Sequence, residues 1–241
     1  YNSGFYDEPG DTRKSMTEIE NTCIMYMDRF DWSDEMPVVI NREGGYFIGI
    51  EVPVDVVVTF YTEADGTIEI RFIGKVDGVH VMDNGGLRVH ENKTASRLGA
   101  AWIDSWETNN QPTGYMIAIS AMLSEPVRNA MMLGSCLPMP RSNAVGSGLE
   151  RVPVKRKDWQ LQGWFDWLLH TYELWTQYKD DPTNAPMYTH SCNRYFRSCS
   201  FQMLCSMDPT ERLAMFNEMP RDKWTPLEDE RDAEKSSDAP L

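Results

Sequence analysis

The sequence predicts an α/β protein: a mixed sheet with an antiparallel three-strand meander, flanked by helices. Three observations lead there. Residues 12–30, TRKSMTEIENTCIMYMDRF, set Met16, Ile19, Cys23, Ile24 and Met27 at helical spacing. From residue 46 the apolar period falls to two, over GYFIGIEVPVDVVVTFY, TIEIRFIGKVDGVHV and LRVHENKT. Later, KDWQLQGWFDWLLHTYELWTQY carries Trp159, Trp164, Phe165, Leu168, Leu169, Tyr172 and Trp175 along one broad helical face.

In chain order, the first helix is amphipathic, and Cys23 reads as a core residue. The three β runs are joined by Ala64-Asp65-Gly66 and Asp83-Asn84-Gly85-Gly86, turn signals short enough to imply an antiparallel meander. A helix is expected over about 112–124, PTGYMIAISAMLS, with Pro112 in its first turn. AMMLGSCLPM then returns as a strand. The aromatic helix follows, with Asp158 placed to cap it and its rings read as core. No internal repeat and no clear linker breaks the chain before the tail. The expectation is one domain over 1–225 and an acidic, disordered tail over 226–241.

A chain of 241 residues with 41% apolar content can bury a core of that size. No run approaches the length of apolar residues a membrane span needs, and YNSGFYDEPGD has no signal-peptide pattern, so an intracellular, cytoplasmic home is the expectation. Five cysteines, three of them between 192 and 205, suit a reduced compartment and a metal cluster better than a disulfide framework. The net charge of -14 argues against a nonspecific nucleic-acid coat. Against it, RVPVKRK at 151–157 gathers Arg151, Lys155, Arg156 and Lys157, to be read as a solvated charged loop or as a phosphate contact.

Alternation along LRVHENK puts Leu87, Val89, Glu91 and Lys93 on one face and His90 on the other, where a strand histidine is usually structural or exposed. Asp77, in IGKVDGV, lies one antiparallel hairpin away. Two carboxylates and a lysine then converge at one end of a sheet. Hard oxygens so placed suit a magnesium ion, and an adjacent lysine suits activation of water for phosphodiester hydrolysis. A single acid–lysine pair would be read as a cross-strand salt bridge. The joint pattern is more specific.

The order Asp77, then Glu91-Asn92-Lys93, then Gln111-Pro112-Thr113-Gly114-Tyr115 resembles the PD-(D/E)XK nuclease superfamily in its RecB-like exonuclease branch, phage members above all. That resemblance implies a restriction-endonuclease-like core. It makes Asp77, Glu91 and the backbone carbonyl of Asn92 ligands of Mg2+ or Mn2+, Lys93 the catalytic lysine, and Gln111 with Tyr115 a helical pair near the scissile strand. Positions i and i+4 share a helix face, so the amide and phenol can reach the same group. Glu51, in IGIEVPV, matches a further acid of the branch that supports the metal or pairs with Lys93.

The resemblance extends to THSCNRYFRSCSFQMLC, where Cys192, Cys199 and Cys205 are spaced C-x6-C-x5-C. In this branch late cysteines of this kind hold a 4Fe–4S iron–sulfur cluster with one early cysteine. Zinc completed by His190, or buried thiols with no metal, are the other readings. The branch also carries an early helical histidine, whereas the first histidine here is His80, and the chain opens on Tyr1. An N-terminal portion bearing that histidine and the fourth cluster ligand is therefore expected upstream.

The implied function is a Mg-dependent deoxyribonuclease, an exonuclease acting on single strands or ends in recombination, repair or phage DNA processing. A helicase or recombination protein is the implied partner, and the host cytoplasm the location of a phage member. A catalytically silent DNA-binding scaffold and a zinc-stabilised interaction domain are the alternatives.

Overall fold

The computed structural model of the chain describes residues 15–30, 35–42, 45–64, 66–95, 97–137, 148–180, 185–186, 192–194, 197–220, 225 and 227. The chain divides into two compact units, Tyr1–Trp164 with Pro226–Leu241, and Phe165–Thr225. The 226–241 tail lies outside the described residues except Leu227.

In the first unit, helix α1 (Met16–Arg29) starts where Ser15 accepts a hydrogen bond from the Glu18 backbone N–H. Three short strands follow: β1 (Glu35–Pro37), β2 (Val39–Arg42) and β3 (Gly45–Ile48). The predicted meander is β4 (Ile50–Glu63), β5 (Gly66–Met82) and β6 (Leu87–Ala95), antiparallel throughout, but its first run, read as one strand from Gly45, is broken at Gly49, and Gly45–Ile48 pairs with β2 instead. Gly85, at φ 79°, supplies the left-handed residue that the 83–86 turn requires. Helices α2 (Ala100–Ser105) and α3 (Asn110–Leu123) then carry the chain over to β7 (Asn129–Cys136), which pairs parallel to β6. β8 (Leu149–Lys155) pairs antiparallel to β7. The sheet order is β1-β5-β6-β7-β8, and β4 shares with β1 one edge of β5. The result is an α/β arrangement with a mixed sheet flanked by helices.

The core lies where α3 meets this sheet. Val52, Val54, Val76, Val79, Val89, Met116, Ile119 and Met132 are almost wholly buried, each large side chain contributing about 1.5–3 kcal/mol of hydrophobic stabilisation. Gly114 permits the approach of α3, since a Cβ there would stand 3.1 Å from Trp164 Cζ2 and 3.2 Å from Phe72 Cε2. Gly49 is tighter still. A Cβ on it would lie 2.3 Å from the Val79 carbonyl oxygen, where the Val38, Gly49 and Val79 backbones exchange three hydrogen bonds of 2.7–2.9 Å.

Helix α4 (Asp158–Tyr178) begins in the first unit, where Leu161 and Trp164 are buried, and continues into the second. The second unit also holds the hairpin β9 (Asn193–Arg194) and β10 (Arg197–Ser198), then α5 (Gln202–Ser206) and α6 (Pro209–Glu218). Asp208 caps α6 by accepting from the Thr210 N–H at 2.9 Å. Among the described residues no helix is long and apolar enough to cross a membrane.

Several expectations are corrected. Cys23 is exposed rather than core, and so are Met16, Ile24 and Met27. The inward side of α1 is instead the stripe of Ile19, Thr22 and Tyr26. Thr22 is tolerated there because its hydroxyl donates to the Glu18 carbonyl at 2.7 Å. Trp159 and Trp175 are 69% and 56% exposed, so the aromatic face of α4 is only partly core. Asp158 is the first helical residue and pairs with Arg128, while Gln160 reaches back to accept from the Lys157 N–H at 2.9 Å. RVPVKRK is no loop: it is most of β8, and Arg156 at its end is buried.

Candidate active site on the β5–β6 sheet end

The β5–β6 ladder is paired from Val81↔Leu87 to Gly78↔His90. One residue beyond, the Asp77 carboxylate takes over, accepting the Asn92 backbone N–H on Oδ2 at 2.7 Å. The side chain thus replaces the next rung, and brings Asp77 to Glu91. Glu91 is 3% exposed. Its Oε1 accepts from Lys93 Nζ, and from Gln111 Nε2 at 2.9 Å. The same Gln111 amide nitrogen lies 2.9 Å from Tyr115 Oη.

Helix α3 is set so that this contact can be made. Asn109 caps it, its Oδ1 accepting the Gln111 N–H at 2.8 Å. Tyr115 then falls one turn on, edge to face with Phe72 at 5.9 Å between ring centroids. Five of the residues that the sequence singles out, Asp77, Glu91, Lys93, Gln111 and Tyr115, therefore meet at one place in the fold.

Burial dominates the electrostatics. It raises the Glu91 carboxyl above the usual range, with the Asp77 charge adding to it and the Lys93 and Gln111 contacts opposing it. Burial also raises the Tyr115 phenol, again against the Gln111 hydrogen bond. The second Glu91 oxygen, Oε2, is buried with no hydrogen-bond partner. An ionised oxygen in that position costs about 1–3 kcal/mol unless something positive meets it.

Glu51 lies across the ladder from Asp77, between the Ile50↔Gly78 and Val52↔Val76 pairs. It holds a left-handed backbone at φ 50°, a conformation costing a non-glycine residue about 1–2 kcal/mol. Its side chain is exposed. The ion pair of Lys93 is with Glu91, not Glu51.

A divalent cation fits this set on the evidence of the orphaned Glu91 oxygen and the hard oxygens around it. Among the described residues no three His, Cys, Asp or Glu side chains form a metal-holding group. Magnesium does not require three, because one or two carboxylates and retained waters suffice. On the sheet's opposite side, His90 stacks on His80 with centroids 3.9 Å apart and planes 7° apart. Burial, then the neighbouring charges of His80, Arg88 and Arg151, lowers His90 to about 3. It is a neutral packing residue.

Of the cysteine segment, Cys192 and Cys199 face each other at the open end of the β9–β10 hairpin, joined by the Cys199 N–H to the Cys192 carbonyl at 2.8 Å. Cys205 follows on α5. The three cysteines are all described, and among the described residues no three His, Cys, Asp or Glu side chains form a metal-holding group. His190 lies outside the described residues.

Two roles escaped the sequence: Phe72 walls Tyr115, and Arg156, read there only as one of a run of cations, anchors the start of α3. Asn109 had a readable signal, the first of an Asn-Asn pair ahead of Gln111-Pro112, placed to cap a helix opening there. No family model matches the chain, and no curated protein matches it.

Proposed function

We propose that the chain is a metal-dependent DNA nuclease with a PD-(D/E)XK core, hydrolysing phosphodiester bonds in exonuclease fashion. The observation that carries this reading is the buried Glu91: one carboxylate oxygen is shared by Lys93 and Gln111, and the other is left without a hydrogen bond beside Asp77. A structural salt bridge gains nothing from the orphaned oxygen. The mixed sheet with its antiparallel meander, flanked by helices, also supports it, since that is the architecture the resemblance implies.

Asp77 and Glu91, with the Asn92 carbonyl and Glu51, would hold Mg2+ or Mn2+. Bound there, the cation would supply Lewis-acid stabilisation of charge on the phosphate and lower the pKa of water. Lys93, held by Glu91, orients the attacking water and offers positive charge to the phosphoryl oxygens. Gln111 fixes the Glu91 oxygen and the Tyr115 hydroxyl together, leaving the phenol to orient the substrate backbone. Single-stranded DNA or duplex ends are the substrate we assign, with a helicase or recombination protein as partner, in the cytoplasm. Cys192, Cys199 and Cys205 are assigned to an iron–sulfur cluster completed by a ligand outside the described residues.

The test is hydrolysis of end-labelled single- and double-stranded DNA with Mg2+ or Mn2+. Asp77→Ala and Lys93→Ala are each expected to lose at least about a hundredfold, on the scale of removing a charge-stabilising group. Undiminished cleavage by either variant rejects the reading. Iron and sulfide analysis of anaerobically purified protein tests the cluster, and a zinc-loaded colourless protein rejects it.

A further inference from the structure

Arg156 is 6% exposed, and among the described residues no carboxylate lies within ion-pair distance of it. Its guanidinium is satisfied by neutral oxygens: Nε donates to Thr113 Oγ1 at 2.8 Å, Nη2 to the Trp106 carbonyl at 3.0 Å and to the Asn109 carbonyl at 3.1 Å, and Nη1 to its own neighbour's Lys155 carbonyl at 3.2 Å. Its backbone N–H is tied to the Arg128 carbonyl at 3.0 Å. A buried cation with no ion-pair partner, offset only by the charge of Glu107 at longer range, is costly. It also stands at the start of α3, the end whose dipole repels it.

The partners show what the cation secures. Trp106 closes α2, Asn109 caps α3, and Thr113 lies in the first turns of α3, midway between Gln111 and Tyr115. A single rigid fork thus joins the end of β8, the end of α2 and the beginning of α3. Asn109, held through its carbonyl, in turn holds the Gln111 N–H, and Gln111 holds Glu91.

We propose that Arg156 is a positioning residue for the Glu91 site: it fixes the α3 N-terminus so that Gln111 and Tyr115 meet the carboxylate. As a statement about catalysis this rests on the nuclease reading above. The anchoring itself does not. Lysine has one nitrogen on a flexible stem and replaces one or two of these bonds, not the fork.

The test compares Arg156→Met and Arg156→Lys with Val154→Ala, a core truncation on the same strand, in the full chain. Cleavage is expressed per folded molecule. Arg156→Met is expected to lose about 10- to 100-fold, the scale of an ångström's misplacement, Arg156→Lys to recover part of it, and Val154→Ala to lose nothing. Because Arg156 acts through Gln111 and Tyr115, adding Arg156→Met to the Gln111→Ala, Tyr115→Phe double variant should make it no worse. Losses that multiply, or a Val154→Ala loss equal to that of Arg156→Met, overturn the proposal.

A second measurement needs neither metal nor DNA. With 3-fluorotyrosine incorporated and the Tyr115 signal assigned by its absence in Tyr115→Phe, Arg156→Met should shift that signal in the direction Gln111→Ala does. Val154→Ala should leave it in place. An unmoved signal overturns the anchoring role, whereas a moved signal with cleavage that Asp77→Ala leaves undiminished supports the anchor and rejects the nuclease reading.

Discussion

Replacing Glu91 with Gln is expected to stabilise the protein at pH 8 in the absence of metal, although it removes half of an ion pair. The amide oxygen can keep both hydrogen bonds that Oε1 accepts, from Lys93 and Gln111. The amide nitrogen then takes the place of Oε2, a buried oxygen without a partner; it carries no charge and offers donors toward Asp77, whose carboxylate repels the ionised Glu91, which relieves about 1–3 kcal/mol. The lost attraction to Lys93, whose side chain is 32% exposed, is worth about 1 kcal/mol or less after solvent screening. The net gain is about 1 kcal/mol, or about 2–4 °C in Tm for a protein of this size.

The pH dependence gives the test its sign. Burial raises the folded-state pKa of Glu91 above 4.5, so the native protein binds this proton more tightly than the unfolded chain does. Its penalty is full above the raised value and fades as pH falls toward 4.5. Urea unfolding in EDTA should show the variant ahead at pH 8 and level with the parent near pH 4.5. Added Mg2+ should then stabilise the parent and not the variant. A variant less stable than the parent at pH 8, or an advantage that does not change with pH, refutes the reasoning.

Gly49→Ala should cost about 3 kcal/mol or more, because the new Cβ meets the Val79 carbonyl at 2.3 Å and backbone cannot step aside. Gly134→Ala should cost less, about 1–2 kcal/mol, since the atoms its Cβ meets at 2.6 and 2.9 Å belong to the Trp102 and Leu98 side chains; thermal melts giving the reverse order would reject this argument. His90, lowered to about 3 by burial, contributes stability that is complete above its unfolded value near 6.5 and is lost as pH falls from there to 3. His90→Gln should flatten the stability–pH slope in that window by up to about 1.4 kcal/mol per pH unit, and an unchanged slope would show that His90 protonates in the folded state.

The meander was legible because period two persists through β4, β5 and β6, and because the 83–86 turn carries its own glycine. The site was legible for a related reason: alternation fixes Glu91 and Lys93 on one face, and helical spacing fixes Gln111 against Tyr115. What failed was the reading of composition as burial. Trp159 and Trp175 are large and apolar, yet nothing in their spacing says whether a partner covers them. Arg156 sits in a run of cations, and only the fold shows that its neighbours in sequence go to solvent while it goes inward. β1, β2 and α2, at 3, 4 and 6 residues, are too short for any period to register.

The pairing of β6 with β7 has a consequence for the order of assembly. β4 and β5 join across a tight turn, and such a hairpin closes within microseconds. The β6–β7 ladder is parallel, so it must wait for the whole α2–α3 connection to span between Ala95 and Asn129. Asp77 and Glu91 are neighbours as soon as the meander forms, but Gln111 and Tyr115 arrive only with the crossover. A nascent chain therefore holds two close carboxylates on a bare sheet end before the helix that buries Glu91 has docked. Charge repulsion at that stage opposes closure, and a cation available during folding would quicken the last step as well as occupy the finished site.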